Sequence, residues 1–476
     1  MWILAAALAV LTGIFFLWLR RATRTVKHVD VGDLRNLKDV PQDTLFALLQ
    51  SHLVSFETIR ARGYGPALEV VQLMLGVVPT CDVLLEIWPP AFQAYNVIGP
   101  NFLNIPELFL GLGTRPKSLI TLAMYASSRA AECAYCTAHT CTIALRRGTA
   151  PGKLRRVSGV LSDDAELSPA ERAVVSVASS LGRVPCDLTA DEVTTLQTLV
   201  AKADVEWVVA SVAMFGFFNK LMDGLGVPLE PETVAETADL MGPTWSAGKA
   251  GQLLGPVIRR VASPKVDDWR WILKVLFLGL KPGGLLAIDR RLLRGMPTRS
   301  IEASAFLQRT MGCPFPVLGH LTHSRFICAL TAIISLNFDD STTAGLTSAR
   351  KVLVGAVAAD TMQDSRLLEE MVMVGTHFGV ERSLFDEAVR AQSSADPLTA
   401  ITLQAAKALG HSPVRVTTQL VSDLRKSDLT PAMLVEIVSV VACMQMLHRV
   451  ESVFFLRAVG DAMWPICTCV YRGALR

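Results

Sequence analysis

Aromatic and charged side chains are scarce in this chain. Phe, Trp and Tyr make up 7% of its 476 residues and Asp, Glu, Lys and Arg 19%, against 51% apolar. That balance carries too much apolar material for disorder. With few aromatics the core must be built from Ala, Leu and Val, which favours helices. Strand-like alternation of apolar and polar positions is sparse, which argues against a sheet protein. The formal net charge is only +3 and the arginines are scattered. No basic stripe interleaved with aromatics occurs, so nothing points to nucleic acid as a partner. Beyond residue 19 there is no stretch of 18 uninterrupted apolar residues, and no second membrane span is expected.

Residues 2–19 are the exception: apolar throughout except for Thr12 and Gly13. Eighteen residues at about 1.5 Å each nearly cross a bilayer core. Trp2 and Trp18 stand near its ends, and Arg20, Arg21, Arg24 and Lys27 follow at once. A cleaved leader needs basic residues before its apolar core, and none is there. The pattern predicts a single-pass anchor over residues 1–20, with the main body in the cytoplasm by the positive-inside tendency. Residues 21–64 read as a connector merging into a helix.

From about residue 65 the apolar positions recur every three to four residues, interrupted by Gly and Pro. Helix starts are legible. Ser168 reads as an N-cap, with Pro169 at the first helical position and Glu171 three residues after the cap. Thr189 and Thr430 open similar segments. An internal repeat emerges at a shift of 228 residues, placing residues 178–185 on 406–413, Thr189 on Thr417 and residues 208–222 on 436–450. We expect two tandem helical domains, 65–250 and 266–476.

Ten cysteines are present. Cys328 and Cys443 lie in apolar helical stretches, where a free thiol acts as a small hydrophobe; this setting points to a reducing compartment. Cys133, Cys136 and His139 form the one strong chemical signature. Residues three or four apart share a helix face, so the two thiols and the imidazole are expected on one stripe over residues 118–147, as one long helix or two abutting ones. Glu132, four residues before Cys136, joins that stripe. Such a group can ionise a thiol, attack an electrophile and close a disulfide. Two other readings stand beside this one. The pair is half of a zinc site, though Cys467 and Cys469 are one residue too close to complete it. Or the cysteines are inert core residues, as Cys141 is read to be.

The motif at Cys133, Cys136 and His139, the helix start at residues 167–172 and the Gly-rich segment 212–227 together resemble the AhpD-like, or carboxymuconolactone decarboxylase-like, family of all-helical proteins. The resemblance covers roughly residues 85–230, with the second repeat matching only in its later helices. It implies an alkylhydroperoxidase reaction in which Cys136 attacks a hydroperoxide, Cys133 resolves it and an external dithiol restores the pair, with no cofactor and no metal. It also implies assembly by helix packing, as a homo-oligomer or within a fused pair. Two departures stand out: the family His often lies one residue later, where this chain has Thr140, and the family's upstream relay Glu is Thr121 here. Glu132 is the substitute at hand. The second repeat has no cysteine between Cys328 and Cys443 and offers Asp360, Asp364, Glu369, Glu370 and His377 instead, so it reads as degenerate. The competing functions are a membrane-tethered scaffold or assembly protein on the same fold, and a decarboxylase-type lyase.

Overall fold

The Ser168 hydroxyl accepts the Glu171 N–H while the Glu171 carboxylate accepts the Ser168 N–H; Thr189 and Glu192 repeat the arrangement. These reciprocal caps, with prolines at first helical positions, start the helices where the sequence places them. The computed structural model describes residues 9–15, 17, 31–103, 117–159, 166–241, 245–246, 269–391 and 394–456. It is all-helical, without a strand among the described residues.

The helices that matter in the first half are α1 (Gly65–Leu75), α2 (Pro89–Phe102), α3 (Lys117–Ala130), α4 (Ala134–Arg146), α5 (Pro169–Gly182), α6 (Ala190–Leu199), α7 (Lys202–Leu225) and α8 (Pro231–Met241). In the second they are α9 (Leu285–Leu292), α10 (Ser348–Thr361), α11 (Ser365–His377), α12 (Pro397–Gly410), α13 (Thr418–Lys426) and α14 (Pro431–Leu456). The segment 31–64, read as a connector, adds short helices whose Leu34, Phe46, Leu49 and Phe56 are buried in the core.

The same succession occurs twice. The order α5–α6–α7 recurs as α12–α13–α14 at the shift of the sequence repeat, with Thr189 and Thr417 as matching N-caps. The helix pair α3–α4 recurs as α10–α11. Each pair is joined through a residue in the left-handed region, Glu132 and Gln363, followed by an N-cap side chain, Cys133 and Asp364.

Helices α7 and α14 are long and apolar enough to cross a membrane, yet their apolar windows are 94% and 89% buried inside the protein. They are the central helices of the core, packed along one another. Gly216 lets them approach: a Cβ there would lie 2.9 Å from Arg449 Cδ and 3.1 Å from the Gln445 carbonyl oxygen. Each helix also sends a cation into the other half. Lys220 Nζ donates to the Gly410 carbonyl (3.1 Å), the Ser412 hydroxyl (2.8 Å) and the His411 carbonyl at the end of α12. Arg449 donates to the Val212 carbonyl (2.9 Å) and reaches Gly182 O, at the end of α5, at 3.5 Å. Carbonyls left open at a helix C-terminus are thus satisfied across the seam.

Gly182 closes α5 against the C-terminal end of α3. A Cβ at this position would meet Ser127 O at 2.6 Å and Ala130 Cβ at 2.7 Å. Gly182→Ala is therefore expected to lower stability by about 1–3 kcal/mol through forced separation of the two helices. Denaturant titration of both proteins checks this, and an unchanged midpoint would mean that the contact gives way freely.

Residues 9–15 and 17 are helical, and Val10, Leu11, Ile14 and Leu17 are more than half exposed. The remainder of the 2–19 run lies outside the described residues.

Candidate functional site

The thiol motif straddles a helix break. Helix α3 stops at Ala130, Glu132 takes φ +57°, and Cys133 is extended at φ −77°, ψ 102°. Cys133 then caps α4, its Sγ accepting the Cys136 N–H at 3.3 Å. The break therefore puts one sulfur at the cap and the other on the first turn, side by side. Of the two arrangements expected for residues 118–147, the chain adopts the abutting pair.

Cys136 and His139 open into a cavity of about 90 Å³. Its walls are largely apolar: Val71 and Leu75 from α1, Met214 and Phe218 from α7, and Leu285 from α9 in the second half. Tyr95, Asn96 and Tyr135 add polar groups. Cys133 is fully buried behind Cys136 and does not line the cavity. The cavity therefore distinguishes the two thiols.

His139 Nε2 lies 2.8 Å from Glu230 Oε2. The other oxygen of Glu230 accepts the Tyr135 hydroxyl at 2.8 Å and the Thr80 N–H. Tyr135 packs on the imidazole, with ring centroids 4.4 Å apart. Glu230 is 1% exposed. Burial pushes its carboxyl up, but His139 beside it and the backbone N–H groups outweigh that and hold it below the usual carboxylate range. Nearby Asp82 has no such partners. Burial, reinforced by Glu230 and Glu86, pushes its carboxyl well up.

Burial also pushes both thiols up. For Cys136 the Cys133 thiol and the Arg449 guanidinium pull the other way, while Asp223 adds to the rise. For Cys133 the neighbouring Cys136 thiol reinforces the effect of burial. Cys133 also interacts with Asp223, whose carboxyl is raised by burial, while Lys220 beside it is lowered by burial. Both thiols thus stand above the ordinary thiol value, and for Cys136 the Cys133 thiol and Arg449 oppose part of the rise. Cys141 is fully buried and pushed up to about 12 by burial, in keeping with a packing role.

The predicted residues Cys133, Cys136 and His139 are thus brought together. Glu132 is not: the left-handed turn at the break swings it to the surface, and the carboxylate on His139 comes from Glu230. Thr121 is buried and hydrogen-bonds the Thr149 hydroxyl at 2.8 Å. Sequence reasoning missed Glu230, Asp223, Tyr135 and Arg449. Glu230 lies 91 residues from His139, beyond any local spacing rule; its only local mark is a position two residues after Pro228 and immediately before Pro231. Cys467 and Cys469 lie outside the described residues.

No family model matches the chain, and no curated protein matches it. A solved structure, that of the debrominase Bmp8 in its apo form, is similar at 20% identity over 40% of this chain and 96% of its own, with a TM-score of 0.35. That likeness is too distant to bear on the fold or the reaction.

Proposed function

We propose that the chain is a membrane-tethered thiol peroxidase of the AhpD-like kind, reducing organic hydroperoxides at Cys136. The Cys136 thiolate attacks the terminal peroxide oxygen, and the O–O bond breaks. The sulfur becomes a sulfenic acid, while the alkoxide leaves and takes a proton to become the alcohol. The Cys133 thiol condenses with the sulfenic acid, forming a disulfide and releasing water. An external dithiol then reduces the disulfide. His139, oriented by Glu230, is placed to exchange protons with Cys136 or the leaving oxygen. The opening of Cys136 and His139 into one apolar cavity, with Cys133 directly behind, carries this reading. Residues 65–250 are the working unit, and residues 266–476 a degenerate copy that supplies Leu285 to the cavity wall and Arg449 to the thiol pair. Residues 2–19 anchor the body at a membrane, on its cytoplasmic side.

The test is steady-state consumption of tert-butyl hydroperoxide with dithiothreitol as reductant. Wild type is expected to turn over, and Cys136→Ser to lose at least 100-fold, since the nucleophile itself is removed. Equal rates in both proteins, or no turnover in either, would sink the proposal. One observation favours a second reading, a scaffold without enzymatic activity. Burial raises both thiols above their ordinary range, opposite to the direction a nucleophile needs.

A further inference from the structure

Helix α2 carries Gly99 and Pro100 side by side in its last turn. Both are costly in a helix. Glycine loses more backbone freedom on folding than any other residue, and proline has no N–H to give. The glycines inside the other long helices are explained by their neighbours. A Cβ on Gly216 of α7 would lie 2.9 Å from Arg449 Cδ, one on Gly224 of α7 2.8 Å from Val438 Cγ1, and one on Gly355 of α10 2.8 Å from Met371 Sδ. Gly99 is different. Its backbone is helical, and a Cβ built on it meets no atom within 4 Å. Helix propensity alone would place alanine there. Gly99 lines the cavity into which Cys136 and His139 open, together with Pro100 and Asn96 from the same helix. The absent side chain therefore leaves room in the one place where a ligand of the thiol site would lie.

Charge and size define what fits. No Asp, Glu, Lys or Arg lines the cavity. A carboxylate, phosphate or ammonium entering it would give up water without gaining an opposite charge. The imidazole of His139 does not change this, because Glu230 already stands 2.8 Å from its Nε2 and answers any positive charge it takes. A thiolate at Cys136 would repel an anion further. The volume of about 90 Å³ is small. Apolar cavities of about 150 Å³ bind benzene, so a branched group of about four carbons matches this one better than an aryl ring or an acyl chain does.

We propose that the cavity selects compact, uncharged alkyl hydroperoxides and that Gly99 sets the size limit. The proposal rests on the hydroperoxide reading of the site and adds to it the class of substrate. The O–OH end meets Cys136 and His139, while the alkyl group occupies the space that a side chain at position 99 would take. Hydrogen peroxide leaves the apolar walls without a partner. An aryl hydroperoxide exceeds the room, and a fatty-acid hydroperoxide brings both length and a carboxylate. Gly99 faces only the part of the substrate that does not react, so it governs binding and selectivity and not the chemical step.

The experiment compares full-length wild type with Gly99→Ala. Alanine is the better helix former and meets no neighbour, so the variant is expected to melt no lower than wild type. Wild type is expected to reduce tert-butyl hydroperoxide with a kcat/KM about tenfold above that for cumene hydroperoxide and about 100-fold above that for linoleic acid hydroperoxide. Gly99→Ala is expected to lower the ratio of kcat/KM for tert-butyl hydroperoxide to that for hydrogen peroxide by about tenfold, through KM and not kcat. A second readout needs no turnover. Cys136 is alkylated with iodoacetamide at pH 9 and followed by peptide mass spectrometry, with tert-butyl alcohol or pivalate present. The alcohol is expected to protect Cys136 in wild type and about tenfold more weakly in Gly99→Ala. Pivalate, equally branched but charged, is expected to protect neither. Protection by the alcohol without turnover of any hydroperoxide would end the peroxidase reading and support the selectivity of the cavity. Equal kcat/KM for the three organic hydroperoxides, an unchanged KM in Gly99→Ala, protection by pivalate or none by the alcohol each overturns that selectivity.

Discussion

Glu230→Gln is expected to lower hydroperoxide turnover by about 100-fold, the scale of a general acid–base contribution. The substitution keeps size and shape, and the amide oxygen can still accept from Tyr135 and Thr80. What changes is the partner of His139. A carboxylate at 2.8 Å from Nε2 fixes the proton on that nitrogen and stabilises the imidazolium. An amide nitrogen in its place donates, so Nε2 must become the acceptor and the proton must move to Nδ1. That nitrogen is buried without a partner. The loss is expected in kcat with the KM for hydroperoxide little changed, because Glu230 does not line the cavity. Stability supplies an independent check. The folded Glu230 carboxyl is held below its unfolded value. Its stabilising contribution is therefore complete above the unfolded value of about 4.3 and is lost as pH falls through the folded one. The variant's deficit in melting temperature should be present at pH 7 and shrink in acid. Wild-type turnover in Glu230→Gln would remove the imidazole–carboxylate pair from the reaction.

Lys351→Met is expected to destabilise the fold by about 3–5 kcal/mol, the cost of leaving one buried charge without its partner. Lys351 Nζ stands 3.0 Å from Glu436 Oε1, with both side chains at 0% exposure. The ammonium also donates to the Asp339 carbonyl at 2.7 Å. The second oxygen of Glu436 accepts the Ala344 N–H at 3.0 Å. The pair therefore holds the turn before α10 against the foot of α14. Lys351→Met combined with Glu436→Leu should recover much of the loss, because a well-packed apolar pair of similar volume avoids the desolvation penalty altogether. Urea unfolding of the three proteins reads both effects. A single variant as stable as wild type would show that Glu436 takes up a proton or finds water instead.

The local chemistry of helix ends was legible in advance. Ser168, Thr189 and Thr430 announce their helices because a hydroxyl before a run of helix formers, often followed by a carboxylate, satisfies open N–H groups wherever it occurs. The repeat was legible for a related reason: the same caps and the same apolar rhythm return 228 residues later. The thiol motif was legible as far as spacing reaches. Beyond that, periodicity fails in identifiable ways. It leaves open whether residues 118–147 form one helix or two, because nothing in composition marks Glu132 as left-handed; the break falls there, and Cys133 caps the helix that follows. It cannot find Glu230, which arrives from another part of the chain. Nor can hydropathy distinguish a helix surrounded by protein from one surrounded by lipid. Helices α7 and α14 therefore pass a membrane test of length and composition although neighbouring helices enclose them.

The pairing of α7 with α14 has a consequence for behaviour on dilution. Two separate subunits joined through such a face would part as their concentration fell, and the guanidinium of Arg449 would leave the thiols with them. Here a peptide tether keeps the faces at high effective concentration. The environment of Cys136 should therefore be the same at nanomolar as at micromolar protein.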